Sequence, residues 1–132
     1  MVKKQGIINR HLSEALAELG HTDVLAVVDC GYPIPDGSKV IDLSIDKGFP
    51  GFLDVLSRIL QEIVCEEVVI AEEIKFKNEI VYSDLLKLIE GIPLSYTSHS
   101  ELKSLARQAK VFVRTGEATP YSNILLRSGV DF

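Results

Sequence analysis

The apolar run VLAVV at residues 24–28 restricts the possible folds of this chain more than any other feature of its sequence. All five side chains are aliphatic, and three of them are valines, which favour extended backbone. A run without alternating polar residues is typical of a strand that is covered on both faces. The chain is therefore expected to contain a sheet with further layers packed on both sides.

Other short apolar runs alternate along the chain with segments whose apolar residues have helical spacing. The apolar runs indicate strands at residues 39–45, 66–74, 93–98, 110–116 and 121–132. The helical segments lie at residues 9–19, 51–65, 82–91 and 98–108. This alternation predicts an α/β fold, a three-layer α/β/α sandwich with a largely parallel, mixed sheet. At 132 residues the chain fits one domain, residues 1–132.

Composition limits the class of partner. Apolar residues make up 46 % of the chain and the mean hydropathy is +0.18. Because a domain this small has much surface for its volume, part of that apolar area is expected in contacts between the subunits of a homo-oligomer. The net charge of −5 and the scattered basic residues argue against nucleic acid and against an anionic membrane as partners. A neutral small molecule is the expected ligand.

The N-terminal sequence and the cysteines indicate the compartment. The segment MVKKQGIINRHL is not followed by the apolar run of a signal peptide, and no window approaches the length of a membrane span. Cys30 and Cys65 lack both the spacing of a CxxC site and the density of a disulfide scaffold. They are expected to be reduced, buried thiols, and the protein is expected to be cytoplasmic.

Polar residues flank the first strand. His21 precedes it and Asp29 follows it, and ligands of such sheets bind where strands end and loops begin. An imidazole can give and take protons near neutral pH, although a surface histidine beside a helix C-terminus is the commoner case. Asp29 requires partners, either amides of the turn that follows or hydroxyls of a ligand. Asp23 is expected to be a solvated loop residue rather than a group that orients His21.

Two later segments add polar groups. Ser98 and Glu101 form a capping box that places His99 in the first turn of a helix, a position that usually faces solvent. The loop RTGEATPYSN carries donors and acceptors that suit a neutral, polyhydroxylated ligand better than a phosphate. No Walker loop, dinucleotide fingerprint or GxSxG elbow is present, and three scattered histidines, including His11, do not have metal-ligand spacing.

Several of these segments resemble the D-ribose pyranase family, which is related to the fucose mutarotases. They are GIINRHL, LGHTD, DCGYPIPDG, IDLS, the SH pair and VRTGEATPYSN, in matching order over essentially the whole chain. Fucose mutarotases usually read GHGD followed by an FP segment, so GHTD and GYPIP favour the ribose branch. Three positions depart from the family pattern: Ser122 replaces Ala, and Cys30 and Tyr32 stand where Ala and Leu are usual. Tyr32, close to Asp29 in sequence, could alter which sugar fits.

The resemblance implies a site and an assembly. No metal is expected, because of the histidine spacing, and no cofactor is expected, because ring opening needs only an acid and a base. The family forms ring pentamers that stack into a decamer, with sites between subunits. The implied site comprises the proton donor His21 and the sugar-binding residues Asp29, His99, Tyr121, Ser122 and Asn123.

The expected activity is that of an isomerase that interconverts the β-pyranose and β-furanose forms of D-ribose by general acid–base ring opening and reclosure. Two alternatives stay open on the sequence alone. The protein could be an anomer isomerase like the fucose mutarotases, which differs only in its substrate. It could also be a sugar-binding module without catalytic duty, attached to ribose transport, because that function would use the same hydroxyl-binding groups.

Overall fold

A computed structural model describes residues 2–132 and contains one six-stranded sheet. Its strands are β1 (Val24–Val28), β2 (Val40–Asp42), β3 (Cys65–Ala71), β4 (Leu94–Thr97), β5 (Val111–Arg114) and β6 (Ile124–Ser128). The order across the sheet is β2-β5-β1-β6-β3-β4. Strand β6 runs antiparallel to β1 and β3, whereas the other neighbouring pairs are parallel. The predicted largely parallel, mixed sheet is confirmed.

The helices cover the two faces of the sheet unequally. They are α1 (Arg10–Ala17), α2 (Phe52–Leu60), α3 (Ile74–Lys77), α4 (Glu79–Leu88) and α5 (His99–Ala106). Buried side chains of the first four pack on one face, around Leu25, Val27 and Val113. On the opposite face α5 packs Leu102 and Ala106 against alternate residues of the same strands. The three layers confirm the predicted α/β/α sandwich, and they explain why VLAVV has no polar position: both of its faces are buried.

Some element boundaries differ from the sequence-based expectation. Helix α2 ends at Leu60 rather than at residue 65, because the chain must turn before β3 begins at Cys65. The last strand covers only Ile124–Ser128, since Tyr121 has a φ of 60° and leaves extended geometry. The capping contact predicted for α5 is present, with the Ser98 hydroxyl accepting from the Glu101 amide at 3.1 Å.

Candidate functional site

Four of the predicted site residues meet at one edge of the sheet. Asp29 follows β1, and His99 begins α5 directly after β4. Because β6 is antiparallel to β1, Asn123 and Tyr121, which precede β6, lie at this same edge. We call Asp29, His99, Tyr121 and Asn123 the carboxyl-edge cluster, since the parallel strands end there. This is the edge where ligands of α/β sheets usually bind.

Asp29 is fixed by the backbone and by Asn123. The Asp29 amide donates to Asn123 Oδ1 at 2.8 Å, and Asp29 Oδ1 accepts from the Gly31 amide at 3.0 Å. Burial raises the pKa of the Asp29 carboxyl above its ordinary value, and the Gly31 amide and the Asn123 side chain oppose that effect. The carboxylate is thus partly withdrawn from water and is suited to accept hydrogen bonds from hydroxyl groups.

His99 is more enclosed than its position in a first helical turn suggests. Its ring packs edge-on against Tyr121, with centroids 5.1 Å apart, and against Tyr32 at 6.4 Å. Its backbone amide donates to the Glu73 carboxylate at 3.0 Å. Among the residues described, no partner hydrogen-bonds to the buried Nδ1 atom. A buried ring nitrogen without a partner is costly, so Nδ1 of His99 is left unsatisfied in a single copy of the chain.

The charge state of His99 follows from its surroundings. Burial lowers the pKa of the imidazole below its ordinary value, and the nearby Lys103 ammonium acts in the same direction. Glu73 and Asp29 oppose the change. The ring is therefore mainly neutral at pH 7, and a neutral imidazole offers one donor and one acceptor.

The loop before β6 is held by hydrogen bonds from the side chain of Asn78. Asn78 Nδ2 lies within hydrogen-bond distance of the Pro120 carbonyl at 2.9 Å and of Ser122 Oγ at 3.1 Å. The Ser122 hydroxyl is buried and also contacts Thr119 Oγ1 at 2.9 Å. These contacts support Tyr121, whose backbone is in the left-handed region that non-glycine residues rarely occupy. In this chain the Ser122 side chain holds the loop together.

Other polar groups of the RTGEATPYSN segment support the scaffold. The Arg114 guanidinium donates to the Cys30 carbonyl at 2.9 Å, and Thr115 Oγ1 donates to the Val28 carbonyl at 2.9 Å. The Glu117 carboxylate accepts from the Phe52 amide at 3.0 Å and so caps α2. These roles could not be predicted from the sequence, because each contact joins segments more than 60 positions apart.

His21 lies at the other end of β1. Its Nε2 is 3.1 Å from Oε2 of Glu66, and Oε1 of Glu66 is 3.2 Å from Nε of Arg127. We call His21, Glu66 and Arg127 the His21 corner. Strand β1 alone spans about 17 Å, whereas a hydrogen bond spans about 3 Å. One copy of the chain therefore does not bring His21 to the carboxyl-edge cluster.

The turn that carries His21 is strained and anchored. Thr22 has a φ of 72°, and its amide donates to the Ser128 carbonyl at 2.9 Å. The Ser128 hydroxyl donates to the carbonyls of Gly20 and Asp23. Asp23 does not contact the imidazole: its carboxylate accepts from the Gly20 amide at 2.7 Å and from Lys110 Nζ at 3.2 Å. The residues that place His21 are thus Ser128 and Glu66, which the sequence analysis missed.

Other parts of the molecule are less informative about chemistry. A cleft of about 730 Å³ lies between the N-terminal segment, the end of β2 and α2, and no predicted site residue lines it. Within residues 2–132, no group of three or more His, Cys, Asp or Glu side chains is arranged to hold a metal ion. None of the helices described has the length and apolarity required to cross a membrane.

Comparison with known proteins gives a family match over nearly the whole chain. The model of the RbsD / FucU transport protein family matches residues 2–131. A D-ribose pyranase of Geobacillus thermodenitrificans is 50 % identical over 131 residues, 99 % of each chain. One from Kosmotoga olearia is also 50 % identical, over 99 % of this chain and 100 % of its own.

Solved structures show the same fold. The structure of Bacillus subtilis RbsD complexed with D-ribose superimposes with a TM-score of 0.95 and 44 % identity, over 99 % of this chain and 100 % of that one. The fucose mutarotase of Streptococcus pneumoniae in complex with L-fucose has a TM-score of 0.79 and 23 % identity, over 95 % of each chain. The second similarity is one of fold alone.

Proposed function

The chain belongs to the RbsD / FucU family, and from this premise we propose that it is an isomerase that interconverts the β-pyranose and β-furanose forms of D-ribose. The observation that carries the proposal is identity at half of all positions with D-ribose pyranases, over almost the full length. The carboxyl-edge cluster supports it, because a carboxylate, a neutral imidazole and an amide suit the hydroxyls of a neutral sugar.

The reaction requires proton transfer and no net redox change. Opening of the pyranose ring adds a proton to the ring oxygen while the anomeric hydroxyl loses one, which leaves the open-chain aldehyde. A different hydroxyl then attacks the aldehyde carbon, and the proton movements run in reverse. His21 donates the proton to the ring oxygen, while Asp29 and His99 hold hydroxyl groups. Residues 121–123 orient the sugar. A positioned acid and base accelerate such steps by about 10²–10⁴-fold.

The site is proposed to form between two copies of the chain. Asp29 and His21 flank opposite ends of β1, so the His21 corner of one copy must meet the carboxyl-edge cluster of another. Contact between two different surfaces is heterologous, and it generates a closed ring when the rotation between copies allows closure. Large apolar side chains that are highly exposed in one copy, such as Ile45, Phe76 and Ile80, supply surface for such contacts. We place the protein in a decamer of two stacked pentamers, in the cytoplasm.

The test is exchange NMR on equilibrated D-ribose, with the β-pyranose and β-furanose anomeric signals followed with and without protein. Wild-type protein is expected to accelerate exchange, and His21→Ala is expected to lose that acceleration while it still binds ribose. L-fucose is the substrate control, and His11→Ala, which changes a histidine outside the site, is the matched variant. Full activity in His21→Ala would overturn the assigned role of His21. Ribose contact without faster exchange in the wild type would favour the binding module.

A further inference from the structure

The His21–Glu66 contact bears on which imidazole nitrogen moves the proton. Glu66 Oε2 lies 3.1 Å from Nε2 of His21, and the two residues are 45 positions apart in sequence. The contact joins the turn before β1 to the start of β3. The side chains are 52 % and 36 % exposed, so a single pair of this kind contributes little to stability. The effect to consider is therefore which nitrogen of the imidazole carries the hydrogen, rather than the stability of the fold.

Glu66 is itself held in place. Its second oxygen, Oε1, lies 3.2 Å from Nε of Arg127 on β6, and the other end of that guanidinium lies 3.4 Å from Oε2 of Glu67. Strands β3 and β6 pair at this point, with Glu67 opposite Arg127. Oε1 of Glu66 is therefore in an ion pair with Arg127 that lacks hydrogen-bond geometry at Nε, and Oε2 is directed to His21. Asp23, the remaining carboxylate close to this turn, is engaged by Lys110 and the Gly20 amide.

A carboxylate can only accept a hydrogen bond, so Nε2 of His21 must carry a hydrogen in this contact. In the neutral imidazole the other nitrogen, Nδ1, is then unprotonated, and in the imidazolium Nδ1–H is the free donor. We propose that Glu66 is a positioning residue that holds His21 in the Nε2–H form, so that Nδ1 is the nitrogen that delivers and recovers the proton. This inference rests on the proposed role of His21 in sugar ring opening.

The chain offers a matched pair of variants for the test. Glu66→Ala removes the acceptor from His21 and also removes one contact of Arg127. Glu67→Ala removes the other contact of Arg127 and leaves His21 untouched. Glu66→Gln keeps an oxygen that can accept from Nε2–H, so it serves as the conservative rescue. Exchange kinetics with D-ribose give kcat and KM for each variant beside wild type and His21→Ala.

Glu66→Ala is expected to lower kcat by about 10–100-fold, part of what acid–base catalysis supplies, with KM within about twofold of wild type. Glu66→Gln is expected to regain most of that loss, and Glu67→Ala is expected to match wild type. Wild-type kcat in Glu66→Ala, or an equal loss in Glu67→Ala, would overturn the inference. If His21→Ala itself keeps full activity, the proposed role of His21 fails instead, so the two failures are distinguishable.

A second measurement is made on the wild-type protein. It depends neither on an activity assay nor on whether the variants at Glu66 fold. The chain has three histidines, so ¹⁵N-labelling of histidine gives few imidazole signals, and His21→Ala identifies the relevant one. Spectra that correlate ring nitrogens with ring carbon-bound hydrogens are expected to show the Nε2–H tautomer for neutral His21 in the wild type. A dominant Nδ1–H tautomer would overturn the inference, whatever the kinetics of the variants.

Discussion

The carboxyl-edge cluster and the His21 corner, at opposite ends of the same strand, are built in different ways. Asn123, in the cluster, is 1 % exposed, whereas the side chain of His21 is 52 % exposed. The cluster is held by short contacts to backbone and neighbouring side chains, and burial raises the pKa of its Asp29 carboxyl. The corner is held by ion pairs open to water. The proposed sugar-binding half of the site is thus complete in one copy, while the proposed proton donor is exposed until a second copy covers it.

Both regions contain a residue with unfavourable backbone geometry, in a segment that is held by a side chain far away in sequence. Thr22 and Tyr121 are the non-glycine residues with positive φ in the part of the chain that the structure describes. Ser128 fastens the turn at Thr22, and Asn78 fastens the loop at Tyr121. Unfavourable backbone geometry persists only where the surroundings enforce it, and it is concentrated at functional sites. In this protein such geometry flanks the proposed proton donor at one end of β1 and lies within the proposed sugar-binding cluster at the other.

The largest effect that separates the two regions is expected from Asp29→Asn in the cluster. Loss of a charged hydrogen-bond acceptor should weaken ribose affinity by roughly 10–100-fold, since such a bond contributes about 1.5–3 kcal/mol. The thermal stability of the variant should nevertheless exceed that of wild type at pH 7. Burial raises the pKa of the Asp29 carboxyl in the folded state, so its ionisation disfavours the fold, and an asparagine cannot ionise.

The sign of this effect fixes its pH dependence. Wild type should gain stability as the pH falls through the raised pKa of Asp29, because the carboxyl then becomes protonated in the folded state. Below about pH 4 the carboxyl is protonated in both the folded and the unfolded state, so the Tm of wild type should equal that of Asp29→Asn. Asp36→Asn, in an exposed position of the following loop, is the control and should change neither affinity nor Tm. Calorimetric titration with ribose measures the affinity, and thermal unfolding at a series of pH values measures the Tm. A lower Tm for Asp29→Asn at pH 7, or unchanged affinity, would contradict the account of the cluster.

A smaller effect is expected from Ser128→Ala at the corner. The variant loses the hydroxyl that donates to the Gly20 and Asp23 carbonyls, while the backbone contact to the Thr22 amide remains. Because a looser turn misplaces His21, kcat should fall several-fold, equivalent to about 1 kcal/mol, with ribose affinity unchanged. Ser104→Ala, on the exposed side of α5, is the matched control. A change in affinity without a change in kcat would remove the functional distinction between the two regions.

The sequence was informative where local pattern decides structure. The apolar runs predicted the layered, mostly parallel sheet because strands buried on both faces must be apolar throughout. The strand-end rule directed attention to Asp29, and a family resemblance added His99 and residues 121–123. The partners of these groups could not be predicted, because Glu66, Ser128 and Asn78 reach their targets across 40 or more positions of sequence. Arg114 and Glu117 showed the opposite case, in which polar residues of a promising loop serve the scaffold.

The central claim, that two copies build one site, is tested most directly by mixing inactive subunits. Assayed at a ribose concentration below KM, His21→Ala protein is expected to lack exchange activity when assembled alone, and His99→Ala protein, which loses a hydroxyl-binding group, is expected to lose most of it. Co-expressed in equal amounts, they should regain about a quarter of wild-type activity. In a head-to-tail ring each site takes His21 from one subunit and His99 from the next, and one of the four possible combinations of the two variants has both residues intact. Their co-assembly is verified by two different affinity tags. Co-assembled particles that remain inactive would show that His21 and His99 act within one chain and would contradict the account.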